Sequence, residues 1–333
     1  MKRTALLLAI LLVTVVFLPA CSTKPPVTVY TDGNTDAVRK LVEPFTRSTG
    51  IPVSIEHFTS PRLLVDAVKA PSDGKQPPDV IFSTEKDAGE ALLAQNTLAE
   101  FTPANAGSIP AGAHNGNLWY GMGGHVWVLA WNTGLVTAPP ASLFDLAGEG
   151  YPAGSVSVIN PNYILFYPCG AAATVGETAI SSFLQKLTER NAQWEANPAD
   201  TAKSVAEGKA QVCLTTLQEA TKQKEGGAPI AWAVPDQAEG GMGAYLQFNV
   251  VGVAKVSAMP DKAKKLAEYL LSPEAEKLSV ELGLSDATLQ NCGSKAPVVK
   301  PLAAGLEDAK TAMQNLGMAL TWFTSANPEY KGK

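Results

Sequence analysis

Four short stretches of hydroxyl, amide and glycine residues each follow an apolar run and precede an amphipathic one. They are Thr31 to Thr35, Ser83 to Lys86, Asn160 to Ala172, and Thr215 to Gln218. A loop that enters a helix presents backbone N–H groups with no intrahelical acceptor, together with the positive end of the helix dipole. Each is therefore a ready site for an anion. The candidate ligand-binding residues are Thr31, Gly33, Asn34, Thr35, Ser83, Thr84, Glu85, Asn160, Asn162, Gly170, Ala171, Thr215, Thr216 and Gln218, with Tyr245 from a further loop. These residue types are also the ordinary caps and turns of such loops, so the functional reading gains its weight from four loops converging on one place.

Catalysis has no comparable constellation. The chain has no G-x-S-x-G elbow, no H-E-x-x-H, no C-x-x-C and no Walker A motif, and Gly121-Met122-Gly123-Gly124 lacks the third glycine of a dinucleotide fingerprint. His57, His114 and His125 do not fall at metal-ligand spacing. The chain is read as a non-enzyme without a cofactor. His125 precedes a long apolar run and is either a donor to an anion or a structural histidine; Trp119 and Tyr120 either wall a pocket or pack in the core.

The loops need elements to hold them. Val27 to Tyr30 is an apolar strand, and Val38, Leu41, Val42 and Phe45 then repeat at helical spacing. Ile51 to Phe58 predicts a second strand, Pro61 to Ala70 a helix, and Asp79 to Phe82 a short buried strand. After the strand Val126 to Trp131 and the Pro139-Pro140 connection, a second series begins: strand 156–159, helices 170–189 and 200–207, strand 211–215, helix 218–224 and strand 230–234. Phe248 to Val256 predicts a returning strand, 261–282 a helix broken near Ser272-Pro273, and 306–323 a last helix with a stripe through Met313, Leu316 and Leu320. Strands alternating with helices imply parallel sheets with right-handed crossovers, and two such series imply two lobes. The expected class is α/β: two lobes, each a mostly parallel sheet flanked by helices, with hinge strands between them.

At the N-terminus, Lys2 and Arg3 precede an apolar stretch from Ala5 to Leu18, which ends in Leu18-Pro19-Ala20-Cys21. The pattern is that of a secretory signal over residues 1–20 and resembles a bacterial lipobox, which implies lipidation at Cys21 and a tether over 21–26. Export to the periplasm or the outer face of a membrane is expected. The whole sequence carries a net charge of −5. Without residues 1–20, 24 Lys and Arg face 31 Asp and Glu, a net −7, so there is no basic footprint for nucleic acid. Export permits a disulfide, and Cys169 with Cys213 in one half is the preferred pair among Cys169, Cys213 and Cys292; three free thiols are the alternative.

Several stretches resemble the type II periplasmic solute-binding proteins of ABC transporters, in the group with ferric-iron and aminoethylphosphonate receptors. These are Val27-Thr28-Val29-Tyr30-Thr31, Phe45 to Val53 around Thr49-Gly50-Ile51, Pro78 to Ser83, Val128 to Thr133, Glu207 to Val212, Ala228 to Ile230 with Val234 to Gln237, and Ala267 to Ala275. They stand in the family's order. The resemblance implies lobe 1 over 26–105 plus 249–298, lobe 2 over 106–248, and a C-terminal helix within 299–333 packing near lobe 2 or the hinge. It implies a monomeric receptor that captures a small, anionic or metal-containing solute between the lobes and delivers it to a membrane permease.

In ferric-binding relatives a histidine, a glutamate and a pair of tyrosines hold iron, and Glu85 stands where that glutamate falls. Asn34 takes the histidine's place, and Leu217 and Gln218 take those of the tyrosines. The usual iron set is therefore incomplete, with Tyr163, Tyr167 or Tyr245 as substitutes from other loops. A ferric receptor with a non-standard ligand set is the alternative, and an exported hydrolase or a sensor lipoprotein is the reading from another class.

Overall fold

The computed structural model describes residues 25–71, 74–110, 112–159, 171 and 174–302. Its strands are β1 (Val27–Thr31), β2 (Val53–His57), β3 (Val80–Ser83), β4 (Leu98–Ala99), β5 (His114–Asn115), β6 (Trp119–Asn132), β7 (Val156–Ile159), β8 (Gln193–Glu195), β9 (Val212–Thr216), β10 (Ile230–Ala233) and β11 (Leu246–Ala254). The α-helices are α1 (Thr35–Thr49), α2 (Pro61–Lys69), α3 (Lys86–Ala94), α4 (Glu177–Glu189), α5 (Pro198–Ala206), α6 (Leu217–Glu225), α7 (Pro260–Leu270) and α8 (Pro273–Glu281).

Local chemistry sets the helix ends. The Asn34 side chain accepts the N–H of Ala37 to start α1, which stops at Gly50 in the left-handed region at φ 65. Ser60-Pro61 and Ser272-Pro273 start α2 and α8 in the same manner, each with a serine cap and proline in the first turn. The Ser272 cap and Pro273 also divide the 261–282 stretch into α7 and α8.

The strands form one path in the order β2-β1-β3-β11-β6-β9-β7-β8, with β4, β5 and β10 added at its sides. In the first half β2, β1 and β3 are parallel, and β11 runs antiparallel beside β3. In the second half β8, β7 and β9 are parallel. β6 belongs to both halves: Trp119 to Val126 pairs with β11, and Trp127 to Trp131 pairs with β9. Sequence periodicity places the start of this strand at Val126, seven residues late, because Gly121, Gly123 and Gly124 interrupt the apolar pattern.

The faces of β6 differ. Tyr120, Met122, Val126, Val128 and Ala130 belong to one core that runs unbroken across the junction and includes Leu284, Ala287 and Leu289 from the returning chain. Before the junction Trp119 packs with α2 and α3 residues, whereas after it Trp127 and Leu129 pack with residues of α4. Alternation puts His125 on the Trp127 face. Trp119 and Tyr120 are core residues, at 0% and 2% exposure.

Between Phe248 and Asn249 the β6–β11 register slips by one residue, with Gly123 as the extra residue in β6. Gly123 has φ +48 and Gly124 φ +149, which L side chains rarely adopt. Such a bulge bends a strand and re-aims the side chain that follows it. Beside it, Glu276 on α8 is fully buried and accepts three backbone N–H groups: Gly123 at 2.9 Å, Leu289 at 2.6 Å and Gln290 at 3.2 Å. Burial raises the pKa of its carboxyl group, and these hydrogen bonds oppose that rise.

Two other expectations change. The expected helix 170–189 is interrupted at Gly176, which sits at φ +96, outside helical geometry; α4 follows it from Glu177, and Ala171, Thr174 and Val175 before it are helical too. Cys213 is a free, fully buried thiol inside β9, so its pairing with Cys169 is not formed, and burial pushes its pKa far up. Cys169, Cys21, the 1–20 signal and the 306–323 helix lie outside the described residues.

Candidate functional site

The parallel strands of both halves point their carboxyl ends at one short part of β6. Ser83, the last residue of β3, pairs with Val250, and β11 continues past it toward Gln247, which pairs with His125. Thr216, the last residue of β9, pairs with Trp127. Paired residues in adjacent strands project from the same face, so Gln247, His125, Trp127 and Thr216 share one side of the junction. Gln247 donates through Nε2 to the carbonyl of Thr84 at 3.5 Å, which fastens the loop after β3 to this row. The crevice beyond strand ends is where open α/β sheets take their ligands.

The first-half loops are tied together by Asp32, a residue absent from the sequence-based candidates. Its Oδ2 accepts the Ser83 hydroxyl at 2.7 Å, and its Oδ1 accepts the Thr84 backbone N–H at 2.7 Å and the Thr84 hydroxyl at 3.1 Å. Only a fold that lays β1 beside β3 brings residues 32 and 84 together; in sequence, Asp32 reads as one more loop polar group. Asp32→Ala should leave three donors without this acceptor, at a cost of about 1–3 kcal/mol for a buried unmet polar group. Urea unfolding measures it, with Asp32→Asn expected to lose less, since an amide oxygen still accepts.

The candidate residues divide by what their polar groups already do. The Thr31 hydroxyl is buried and accepts the Gly33 N–H at 3.0 Å, and the Thr215 hydroxyl donates to the Pro198 carbonyl at 2.7 Å. Both hold local backbone in shape. Gly33 is closely packed, since an added Cβ would lie 3.2 Å from the Thr84 methyl group, which would have to give way slightly. Asn34 caps α1 and Thr216 caps α6, where its hydroxyl accepts the Glu219 N–H at 3.4 Å. Thr35 is half-buried at the start of α1, and Gln218 is exposed. Ser83 is buried and Thr84 half-buried.

Glu85 stands half-buried at the N-cap of α3, with its side chain making no cap hydrogen bond. Lys86 follows, 5.6 Å from the ring centre of Phe248. Tyr245 is half-buried against the second-half core. Ala171 is buried in that core too, while Asn160, Asn162, Tyr163, Tyr167 and Gly170 lie outside the described residues. Among the described residues no three His, Cys, Asp or Glu gather into a set that could hold a metal ion.

His125 completes the junction. Its Nδ1 lies 3.3 Å from Asp286 Oδ2, and Asp286 Oδ1 accepts the Val126 N–H at 2.9 Å. A separate cavity of about 570 Å³ lies between Trp131, Pro139, Pro140 and the 233–241 segment. Trp131 is at the far end of the β6–β9 pairing from Thr216, so this cavity is remote from the converging strand ends.

Comparison with known proteins agrees with this architecture. The Bordetella ferric binding protein superposes with a TM-score of 0.75 at 19% identity, covering 89% of this chain and 98% of that one. Ferric iron-binding protein A of Mannheimia haemolytica, in an open conformation, gives 0.72 at 22%, covering 88% and 98%. A periplasmic binding protein of Actinobacillus pleuropneumoniae with fructose-6-phosphate bound gives 0.57 at 18%, covering 91% and 98%. No curated protein matches the chain. The family model described as bacterial extracellular solute-binding protein matches residues 27–284. With two parallel strand sets meeting across a shared strand and a family match over most of its length, the chain belongs to the bacterial extracellular solute-binding proteins.

Proposed function

We propose that this protein captures a small anionic or metal-carrying solute at the β6 junction and delivers it to an ABC permease in the membrane. The observation that carries the reading is the meeting of the β3 and β9 carboxyl ends on the His125 to Trp127 stretch. The helix starts at Asn34, Glu85 and Thr216 bring backbone N–H groups and positive dipole ends to that place, which suits negative charge. We take the lobes to be 26–105 plus 249–298 and 106–248, with 299–333 returning to the second lobe. Lipid at Cys21 anchors the monomer outside the cytoplasm.

Ligand binds the closed arrangement better than the open one, and closure about the β6–β11 hinge is what the permease recognises. The test begins with mass spectrometry of the solute that co-purifies. Small-angle scattering with and without that solute should then show a smaller radius in its presence; equal radii would sink the closing-cleft reading. Ferric iron stands as the second reading, supported by the place of Glu85 at the start of α3, in the loop after β3. A red charge-transfer absorbance in purified protein, lost in Glu85→Ala, would establish it.

A further inference from the structure

We propose that His125, oriented by Asp286, receives an oxyanion group of the solute, a carboxylate or a phosphate, through Nε2. This rests on the solute-binding reading above. Three observations converge on it. First, position: His125 lies at the β6 junction, in one row with Gln247, Trp127 and Thr216. Its side chain is 31% exposed, although the strand residues on either side are buried.

Second, orientation: the Asp286 carboxylate is itself fixed, because its Oδ1 accepts the Val126 N–H and its own backbone N–H donates to the Gly124 carbonyl at 2.9 Å. With Oδ2 on Nδ1, the imidazole has one ring edge committed. Nε2, on the opposite edge, has no protein partner among the described residues. Third, the Gly123-Gly124 bulge immediately before His125 is a device that turns a following side chain.

The chemistry favours an oxyanion over a bare metal ion. In the proposed complex the ring carries a proton on each nitrogen, so that Nδ1–H donates to Asp286 and Nε2–H donates to the oxyanion. One imidazole is a poor cage for a cation, and no group of three metal-ligating acids, histidines or cysteines occurs among the described residues. The neighbouring charges at the junction are Glu85 and Lys86 from the loop after β3, and Asp286.

The experiment uses the full chain with citrate, inorganic phosphate and fructose-6-phosphate as probes, and isothermal titration as the readout. For the probe that binds, His125→Ala should weaken affinity about tenfold or more, the range for loss of a charged hydrogen bond. The melting temperature of the unliganded variant should change little. In histidine-labelled wild type, the Nε2 resonance of His125 should shift on saturation with the probe, a response that a purely structural histidine would not give. A shift without affinity loss, or affinity in His125→Ala within twofold of wild type, would overturn the assignment and leave the receptor reading standing. Wild type that binds none of the three probes would overturn the oxyanion assignment and leave the metal-carrying reading above. Ferric iron alone moving the Nε2 resonance, with no anion present, would replace the oxyanion by a metal.

Discussion

Glu276→Leu is expected to lower unfolding stability by about 3 kcal/mol or more, the largest loss among the substitutions considered. The leucine fills much of the same space, yet Gly123, Leu289 and Gln290 lose the acceptor of their backbone N–H groups inside the protein. A buried donor left unmet costs about 1–3 kcal/mol, and the three losses share one site, so the sum is not simply additive. Because Glu276 joins α8 to both β6 and the 289–290 segment, the damage falls on the hinge. Glu276→Gln keeps an acceptor oxygen and should lose less. Urea unfolding monitored by tryptophan fluorescence separates the two variants; equal stability of Glu276→Leu and wild type would refute the role.

Protons add a second signature. Burial raises the folded-state pKa of Glu276 above its unfolded value, so the native state holds this proton more tightly. The contribution from this group is then fully present below the unfolded pKa and declines as pH rises through the folded one. The stability gap between wild type and Glu276→Leu should therefore be wider at pH 4.5 than at pH 7.5. A gap that narrows in acid would show that the hydrogen bonds outweigh burial.

Gly124→Ala is the second large effect. A Cβ built at Gly124 would stand 2.0 Å from the Gln247 carbonyl oxygen, and the backbone there has φ +149. Backbone on both sides must move, since no flexible side chain is available to yield. Strain of this type costs about 1–3 kcal/mol even before the overlap is counted. The movement reaches His125, the next residue, and Gln247, whose amide holds the Thr84 loop. Gly124→Ala should therefore lose stability and solute affinity together. By contrast, Gly50→Ala at the end of α1 meets nothing within 4 Å and should cost only the left-handed penalty, about 1 kcal/mol. Comparing the two glycines by denaturation and by titration with the bound solute distinguishes crowding at the hinge from simple loss of glycine freedom.

The α/β class was legible because its signals are local. Alternating or continuous apolar runs such as Val27 to Tyr30 and Val80 to Phe82, followed by amphipathic stretches such as Val38 to Phe45, report burial of one face residue by residue. Helix starts were equally plain at Asn34, Ser60 and Ser272, since a cap is a contact between near neighbours in sequence. The first turns of these helices therefore fell where expected, and so did the loops after β1, β3 and β9.

Contacts over long sequence separations were not legible. Asp32 with Ser83 and Thr84, His125 with Asp286, and Glu276 with Gly123 are each separated by fifty or more residues. No periodicity marks such a pair, because each partner taken alone is an ordinary polar residue. The start of β6 was hidden for a related reason: glycines at a bulge remove the apolar alternation by which a strand is recognised, and only its partner β11 reveals that it continues. Sequence by itself determined the longer elements, their order and the chemical character of the loops, because those follow from interactions within a turn or two, whereas the short strands β4, β5 and β8 were not marked by it. Which strands lie side by side, which hydroxyls are consumed internally, and which imidazole opens on the junction were decided only by tertiary pairing, which brings together groups that the chain keeps far apart.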